Sequence, residues 1–493
     1  MAKILIKSNS CIITEEFDTG FLWALDRELS FDVQGAKYMA AYRGYFNKDG
    51  QYVKWDGKQR LLKDNLEFSP GLLQRVEEFY KKDNRAYQLI DQRQSKTVEA
   101  SIDIIKKLKE LGKEPYPYQL DTVEATRQRD HGIIRLATGG GKTIVAALMT
   151  ANFGKKTIIY VIGKDLLYQI HQLFTSLFDQ KIGIIGDGLC EIHDINVASI
   201  WTVGQAVGLK KAGIAEDSVD DEKDVDPQRY KDVRAMMQSA KVHIFDECHV
   251  AACKTIQEIA NHINPEHIYG MSASPWRDDG ADMLIECVLG KPIINISASN
   301  LISQGYLVKP VIKFLKVPAH VEKGKKHFQT IYKNYVVENQ VRNSYIVKGA
   351  EKLVEQGYQT LVLYNSVQHG VVLFEELSKK LPCVLLSGKD NSETRNLAKK
   401  SLEDGKVNCI IASRIFDIGI DLPSLSGLVI ASSGKSSVRA LQRVGRVIRK
   451  YPGKKQAAIL DFYDQAPFLK DHAIQRKKIY SSEPDFEVIW PTK

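Results

Sequence analysis

The sequence predicts an α/β protein: two tandem doubly wound parallel-sheet domains preceded by a small N-terminal α+β domain. Three observations carry this. A glycine-rich turn, Leu136-Ala137-Thr138-Gly139-Gly140-Gly141-Lys142-Thr143, sits between the apolar run Ile133–Leu136 and a helix-like run from Ile144 to Met149. Apolar runs short enough for buried parallel strands follow at Thr157–Ile162, Ile195–Ser199, Val242–Phe245 and Ile268–Met271. A second series of similar size comes at Thr360–Tyr364, Val384–Leu386, Cys409–Ala412, Leu428–Ala431 and Ala457–Asp461, and two consecutive series imply two domains.

The chain of 493 residues suggests about three domains at ~150 residues each. The boundaries predicted are 1–90 for the N-terminal domain, 91–113 for a polar, Lys-rich linking helix, 114–297 for the first α/β domain, 298–310 for an interdomain linker and 311–493 for the second. At 44% hydrophobic and 26% charged, the composition is that of a globular protein with ample core-forming residues. No run of ~18 apolar residues exists, which argues against a membrane span and a membrane partner. The opening Met1–Lys7 alternates like a first strand and has no signal-peptide apolar core. Seven cysteines are scattered without paired spacing, against a zinc site or disulfide framework and for a reducing cytosol, so a cytoplasmic location is expected. The net charge of +9 permits a polyanionic partner without requiring one.

Residues 37–63 hold seven basic side chains, among them Arg43, Lys54 and Lys58, against two acidic ones, with six aromatics interleaved, including Trp55. Lys48-Asp49-Gly50 and Trp55-Asp56-Gly57 read as tight turns. Cations for phosphates with rings for stacking make a nucleic-acid surface. A β-rich module with an aromatic core and solvated lysines has the same composition, and composition does not choose between them. Two segments interrupt the α/β pattern. Glu216 to Asp232 carries eight acidic residues and reads as a mobile surface loop, and Lys323–His327 reads as a solvated basic loop.

The glycine turn after a strand and before a helix is a phosphate cradle. Thr138, Gly139, Gly140 and Gly141 turn backbone N–H groups inward, Lys142 reaches the outer phosphates, and the Thr143 hydroxyl suits Mg²⁺. Leu136 stands where the usual pattern has its first glycine. Asp246-Glu247 closes an apolar strand, where open α/β sheets bind ligands; Asp246 suits Mg²⁺ and Glu247 suits activation of an attacking water. Gln119, just upstream, offers one acceptor and a donor pair that match the adenine edge. Gln442-Arg443-Val444-Gly445-Arg446-Val447-Ile448-Arg449 places Arg446 and Arg449 three apart, on one face of a predicted helix, as arginine fingers. In Ala412–Asp421, Gly419 permits an unusual backbone angle and Asp421 suits a ribose or an arginine. Ser432–Ser436 imitates the end of a P-loop without its glycine lead and reads as an ordinary loop.

The order of these motifs resembles that of superfamily 2 helicases. Tyr118-Gln119 resembles the Q motif, Leu136–Thr143 motif I, Val161–Gln169 motif Ia, Ala198–Thr202 the Ic region, and Asp246–His249 motif II in its DExH spelling. Ser272–Ser274 is similar to motif III, Leu361–Ser366 to motif IV, Ala412–Asp421 to motif V and Gln442–Arg449 to motif VI, the whole covering about residues 114–465. Leu136, Ser274 and Cys248 depart from the pattern, and none removes a catalytic side chain. The resemblance implies RecA-like domains, with ATP and Mg²⁺ bound between them. Lys142, Asp246, Glu247, Gln442, Arg446 and Arg449 would be catalytic, and Thr202 and Ser413 would touch nucleic acid.

Residues 37–80, with Lys54-Trp55-Asp56-Gly57-Lys58 and Phe68–Leu73, further resemble the N-terminal domain of phage UvsW-type helicases. That resemblance implies a monomer that works in the host cytoplasm in replication, recombination and repair. Its substrates would be branched and single-stranded DNA: fork regression, Holliday-junction migration, R-loop dissociation on RNA–DNA hybrids, and 3′-to-5′ tracking. It also favours DNA contact by Arg43, Lys54, Trp55 and Lys58. Three rivals remain in view: a duplex translocase that does not separate strands, an ATP-gated clamp without hydrolysis, and an RNA helicase.

Overall fold

The computed structural model describes all residues except 34, 47–50, 94–103, 210–226, 249–253, 274–281, 319–326, 389, 414–421, 435–436 and 492–493. Contacts divide the chain into two compact units. The first comprises Met1–Arg135 and Thr143–Asn295; the second comprises Ile296–Lys493 together with Leu136–Lys142, so most of the glycine turn is counted with the second.

The first unit opens with the alternation Ala2, Ile4, Ile6 buried on one face of the strand Ala2–Ile6. This strand pairs antiparallel with Cys11–Thr14 and parallel with Tyr87–Asp91, and Glu67–Phe68 completes a four-stranded sheet. The helices Thr19–Glu28 and Leu73–Lys82 lend Phe21, Leu25, Val76 and Tyr80 to the same core. Asp18 caps the first of them by accepting the Phe21 amide at 3.0 Å. Two small strand pairs branch off, Ser30–Asp32 with Lys58–Arg60 and Tyr45–Phe46 with Tyr52–Val53.

The α/β part of this unit is an eight-stranded sheet. Its strands run in the order Leu189–Glu191, Ile182–Gly186, Ile195–Ser199, Thr157–Val161, Val242–Asp246, His267–Ser272, His131–Leu136 and Pro292–Ile296. The four runs anticipated after the glycine turn are all strands, and Ile182–Gly186, Leu189–Glu191 and Pro292–Ile296 are additions. The N-terminal module is fastened to this domain rather than strung from it. Ser69 Oγ donates to the Cys287 carbonyl at 2.5 Å, and Arg75 pairs with Glu286 at 2.6 Å. Met283 and Cys287 pack against the module's core, and Lys291 pairs with Glu78. The helix within 91–113 is short, Ile104–Glu110, and the acidic stretch lies outside the described residues up to 226, beyond which Pro227–Ser239 is helical.

The second unit is a seven-stranded sheet ordered Cys383–Leu386, Cys409–Ala412, Thr360–Leu363, Gly427–Ile430, Gln456–Asp464, Lys309–Val317 and Glu487–Ile489, parallel throughout. Lys309–Val317 buries Pro310, Ile312, Phe314 and Val317 by near-alternation. The stretch 298–310 carries the helix Ala298–Ser303, capped by Ser297.

Candidate functional site

In the first unit, the helix Pro117–Arg127 opens on proline, and Gln119, 3% exposed, turns its carbonyl oxygen back to accept the Tyr116 amide at 3.0 Å. That hydrogen bond uses one of the oxygen's two lone pairs in starting the helix. Asp246 ends its strand almost fully buried. Glu247, the next residue, sits at φ +52°, a left-handed backbone angle that costs a non-glycine residue about 1 kcal/mol or more. The turn swings Glu247 out of the strand, where its Oε2 accepts a long hydrogen bond, 3.4 Å, from the buried Ser272 hydroxyl. Cys248 needs no chemical account: it is fully buried with its Sγ beside the bare backbone of Gly270. Thr143 lies half-buried in the first turn of the helix Lys142–Phe153.

In the second unit, Gly139 and Gly141 adopt φ of +90° and +77°, which side chains disfavour, and the Gly140 amide donates to the Ala137 carbonyl at 2.9 Å. The departure at Leu136 has a packing reason: the side chain is fully buried beneath Gly140 and closes the floor of the turn. This turn lies against the arginine element. A Cβ at Gly445 would stand 2.7 Å from Thr138 Cγ2 and closer still to its Cβ. One at Gly139 would stand 3.2 Å from Arg449 Cγ. Gln442 and Arg446 are half-buried on the helix Ser437–Val447. Arg449 corrects the sequence reading: it lies past the end of that helix. It forms an isolated antiparallel bridge with Leu307, next to a hydrogen bond from the Val308 amide to the Ile448 carbonyl at 2.8 Å. The chain turns into an extended segment there, and burial holds the Arg449 guanidinium below its ordinary value.

The described part of Ser432–Ser436, read as an ordinary loop, forms a hub together with Ala431. Arg342 donates to the Ala431 carbonyl at 2.6 Å and pairs with Asp464 at 2.8 Å. Arg476 donates to the Gly434 carbonyl at 2.8 Å and pairs with Asp461 at 2.8 Å. Arg443 donates to Ser432 Oγ at 3.1 Å. Three buried arginines therefore hold the loop that leads into the Ser437–Val447 helix. Lys454 donates to the carbonyls of Pro423 and Leu425, and burial, aided by the Arg449 charge, pushes its amine down to about 7. Sequence reading missed these groups because a buried arginine and a surface arginine look alike in a chain. The one available signal was the pair Asp461 and Asp464 on an otherwise apolar strand.

The expected nucleic-acid contacts separate. Arg43 and Lys54 are exposed. Trp55 is half-buried and its Nε1 donates to the Lys58 carbonyl at 2.7 Å, while Lys58 pairs with the exposed Asp32 at 3.3 Å. Thr202 is 3% exposed in the helix Ile200–Ala206, so its side chain faces the core and offers no surface to a phosphate. Ser413 is half-buried at a strand end, its amide donating to the Leu386 carbonyl at 3.2 Å. Gly419, Asp421, Ser274 and His249 lie outside the described residues. Among the described residues no helix is long and apolar enough to cross a membrane, and no group of three or more His, Cys, Asp or Glu side chains stands ready to hold a metal.

A family described as the type III restriction enzyme Res subunit matches residues 90–277, and the helicase conserved C-terminal domain matches residues 344–451. The structure of Saccharomyces cerevisiae Dbp5 bound to RNA and ADP BeF3 aligns with a TM-score of 0.56 at 14% identity, over 79% of this chain and 93% of that one. At that identity the likeness shows the fold alone, two RecA-like domains. The chain is a superfamily 2 helicase of the DExH type, an ATP-dependent enzyme. Within that class it resembles the phage UvsW-type helicases: the ATP-dependent DNA helicase uvsW of Enterobacteria phage T4 is 28% identical over 466 residues, 88% of this chain and 87% of that protein. The DNA 3'-5' translocase XPB2 of Sulfurisphaera tokodaii is 23% identical over 402 residues, 73% of this chain and 83% of that protein.

Proposed function

We propose that this chain is an ATP-dependent DNA helicase that remodels branched DNA, regressing forks, migrating Holliday junctions and dissociating R-loops. The observation that carries the motor is the seating of the glycine turn on the arginine element, Thr138 against Gly445 and Gly139 against Arg449. Groups that cradle phosphates and groups that neutralise developing charge are thereby brought together, and phosphoryl transfer needs positioning and charge more than covalent chemistry. Lys142 and the glycine-turn amides bind the phosphates, Gln119 orients the base, and Glu247 orients and deprotonates the attacking water. Gln442, Arg446 and Arg449 stabilise the transition state. Asp246 and the Thr143 hydroxyl are oxygen donors that fit Mg²⁺, which takes few protein ligands and completes its shell with water and phosphate; the ion supplies charge neutralisation. Hydrolysis and nucleic-acid binding bias the same conformational equilibrium, so their affinities are coupled reciprocally.

DNA as the track is supported by the named relatives; branching as the substrate rests on the resemblance of the N-terminal module to that of UvsW-type helicases, a module that is fastened to the first α/β domain and carries exposed Arg43 and Lys54. Ser413 contacts nucleic acid, and Gly419 and Asp421 contact the nucleotide. The chain is taken to act as a monomer in the cytoplasm. A second reading, translocation on duplex DNA without strand separation, is favoured by the XPB2 relative.

The test is ATP hydrolysis and strand exchange, in the same tubes, by the wild type and Glu247→Gln on single-stranded, duplex, forked and four-way DNA. Hydrolysis stimulated by branched DNA, with exchange lost in Glu247→Gln, is expected. Stimulation by plain duplex without exchange selects the translocase. DNA binding that depends on nucleotide without any hydrolysis selects the clamp, and stimulation by RNA alone selects the RNA helicase.

A further inference from the structure

The N-terminal module exposes more ring surface than a solvated domain needs. Tyr38 is 71% exposed, Phe46 72%, Tyr52 57% and Tyr45 47%. Two of these rings, Phe46 and Tyr52, touch each other, and paired exposed rings of this kind suit an interaction site. Phe46 and Tyr52 are cross-strand partners on the small hairpin, their ring centroids 5.4 Å apart at 61°. Tyr52 is pinned: its ring lies over the bare backbone of Gly44, where a Cβ would stand 2.9 Å from Cε2, and its hydroxyl donates to the Arg43 carbonyl at 3.3 Å. The rings are thus held in place before any ligand arrives, which lowers the ordering cost of binding.

The charges around the hairpin are lopsided. The carboxylates of Asp26, Asp32 and Asp56 are consumed by Arg60 and Lys58. Among the described residues Arg43 and Lys54, which flank the rings in sequence, have no ion pair. Cations beside preset aromatic faces suit a polyanion that also offers flat rings. Intact duplex presents phosphates and groove edges but hides its base faces. Those faces become available where bases are unpaired.

We propose that the Phe46 and Tyr52 rings stack on unpaired bases at the branch point of DNA, with Arg43 and Lys54 on the adjoining phosphates. This rests on the branched-DNA reading and changes the module's task from holding duplex arms to holding the place where strands part. Stacking of a base on an aromatic residue is sequence-tolerant and, by alanine substitution, shifts affinity by about 5- to 150-fold.

The experiment places 2-aminopurine at the first unpaired position of a fork and, separately, inside plain duplex and in single-stranded DNA. Full-length wild type, Phe46→Leu, Phe46→Trp and Arg43→Gln/Lys54→Gln are compared across a salt series. Phe46 is exposed, so all variants are expected to melt with the wild type. Wild type and Phe46→Trp should quench the fork and single-strand probes and leave the duplex probe unchanged. Phe46→Leu keeps apolar area but should lose the quenching and weaken fork binding at an unchanged salt slope, whereas the charge variant should lower the slope. Wild-type quenching and affinity in Phe46→Leu would overturn the inference, leaving the surface to a protein contact. So would an equal loss on duplex and fork. A wild type that quenches the single-strand probe but does not prefer forks to duplex defeats the branched-DNA reading while leaving stacking on unpaired bases intact.

Discussion

Gly445→Ala is the sharpest perturbation of the motor. The new methyl would stand 2.7 Å from Thr138 Cγ2 and closer still to Thr138 Cβ, against an ordinary carbon–carbon approach of about 3.7 Å, so the helix and the glycine turn must part by more than about 1 Å. Two routes give the size of the effect. Overpacking costs about 1–3 kcal/mol, a factor of about 5 to 150 if it falls on the catalytic arrangement. A misplacement of about 1 Å at reacting groups costs about 100-fold. The expected result is therefore a kcat for DNA-stimulated ATP hydrolysis lower by about 10- to 100-fold, with nucleotide affinity within a few-fold of wild type because the phosphate cradle itself is intact. Thr138→Gly removes the atoms that the methyl meets. In a double-mutant cycle, Gly445→Ala/Thr138→Gly should recover activity relative to Gly445→Ala, with a coupling of about 1 kcal/mol or more. A wild-type kcat in Gly445→Ala, or losses that simply multiply, would refute the idea that this contact sets the arginines.

Lys142→Ala is expected to abolish turnover, measured by phosphate release; a variant with wild-type hydrolysis removes the P-loop assignment. Arg446→Ala should bind a fluorescent ATP analogue normally yet turn over about 10³- to 10⁵-fold more slowly, and a normal rate excludes it as a finger. Arg75→Met strands Glu286, itself 8% exposed, and should destabilise the first unit by about 1–3 kcal/mol in thermal or urea unfolding, less than for a fully buried pair because Arg75 is half-exposed; an unchanged midpoint shows that the module docks by its apolar contacts alone. Deleting residues 1–90 would leave the same carboxylate without Arg75 and bare Met283 and Cys287, so point variants are the cleaner probe of that module. Burial pushes His243 down to about 4 and His369 to about 3, both fully buried. Since their folded values lie below the unfolded value of about 6.5, the unfolded chain takes up protons first as pH falls, and stability declines from about pH 6.5 downward, by about 2 kcal/mol for each histidine at pH 5. A melting midpoint that is flat between pH 7 and 5, or that recovers in His243→Ala without change in this slope, would contradict the assignment.

Most of the motor could be read without coordinates. The strands before Gly139 and Asp246 announce themselves by apolar runs, because a parallel strand covered on both faces must be apolar throughout. The short strand Leu189–Glu191 and the edge strand Glu487–Ile489 escaped, since exposed edges carry no such run. The strand Lys309–Val317 begins inside the stretch 298–310 expected as a linker, its lysines interrupting the apolar run. Thr202 and Arg449 show the limit of motif reading. A motif names a residue but not its facing: Thr202 turned out buried, and Arg449 left the helix that its spacing suggested.

The basic-aromatic stretch shows the same division. Composition alone could not separate a core from a binding surface there. The fold did so by tying Trp55 to the Lys58 carbonyl, spending three local carboxylates on Lys58 and Arg60, and leaving Phe46, Tyr52, Arg43 and Lys54 outward. What the sequence by itself determined is the class of domain and the chemistry of its motifs, since these depend on local periodicity and on residue types at short spacing. Which cations are paired, which rings are exposed, and how closely Thr138 meets Gly445 were decided only by tertiary structure, because burial and pairing depend on side chains brought from distant parts of the chain.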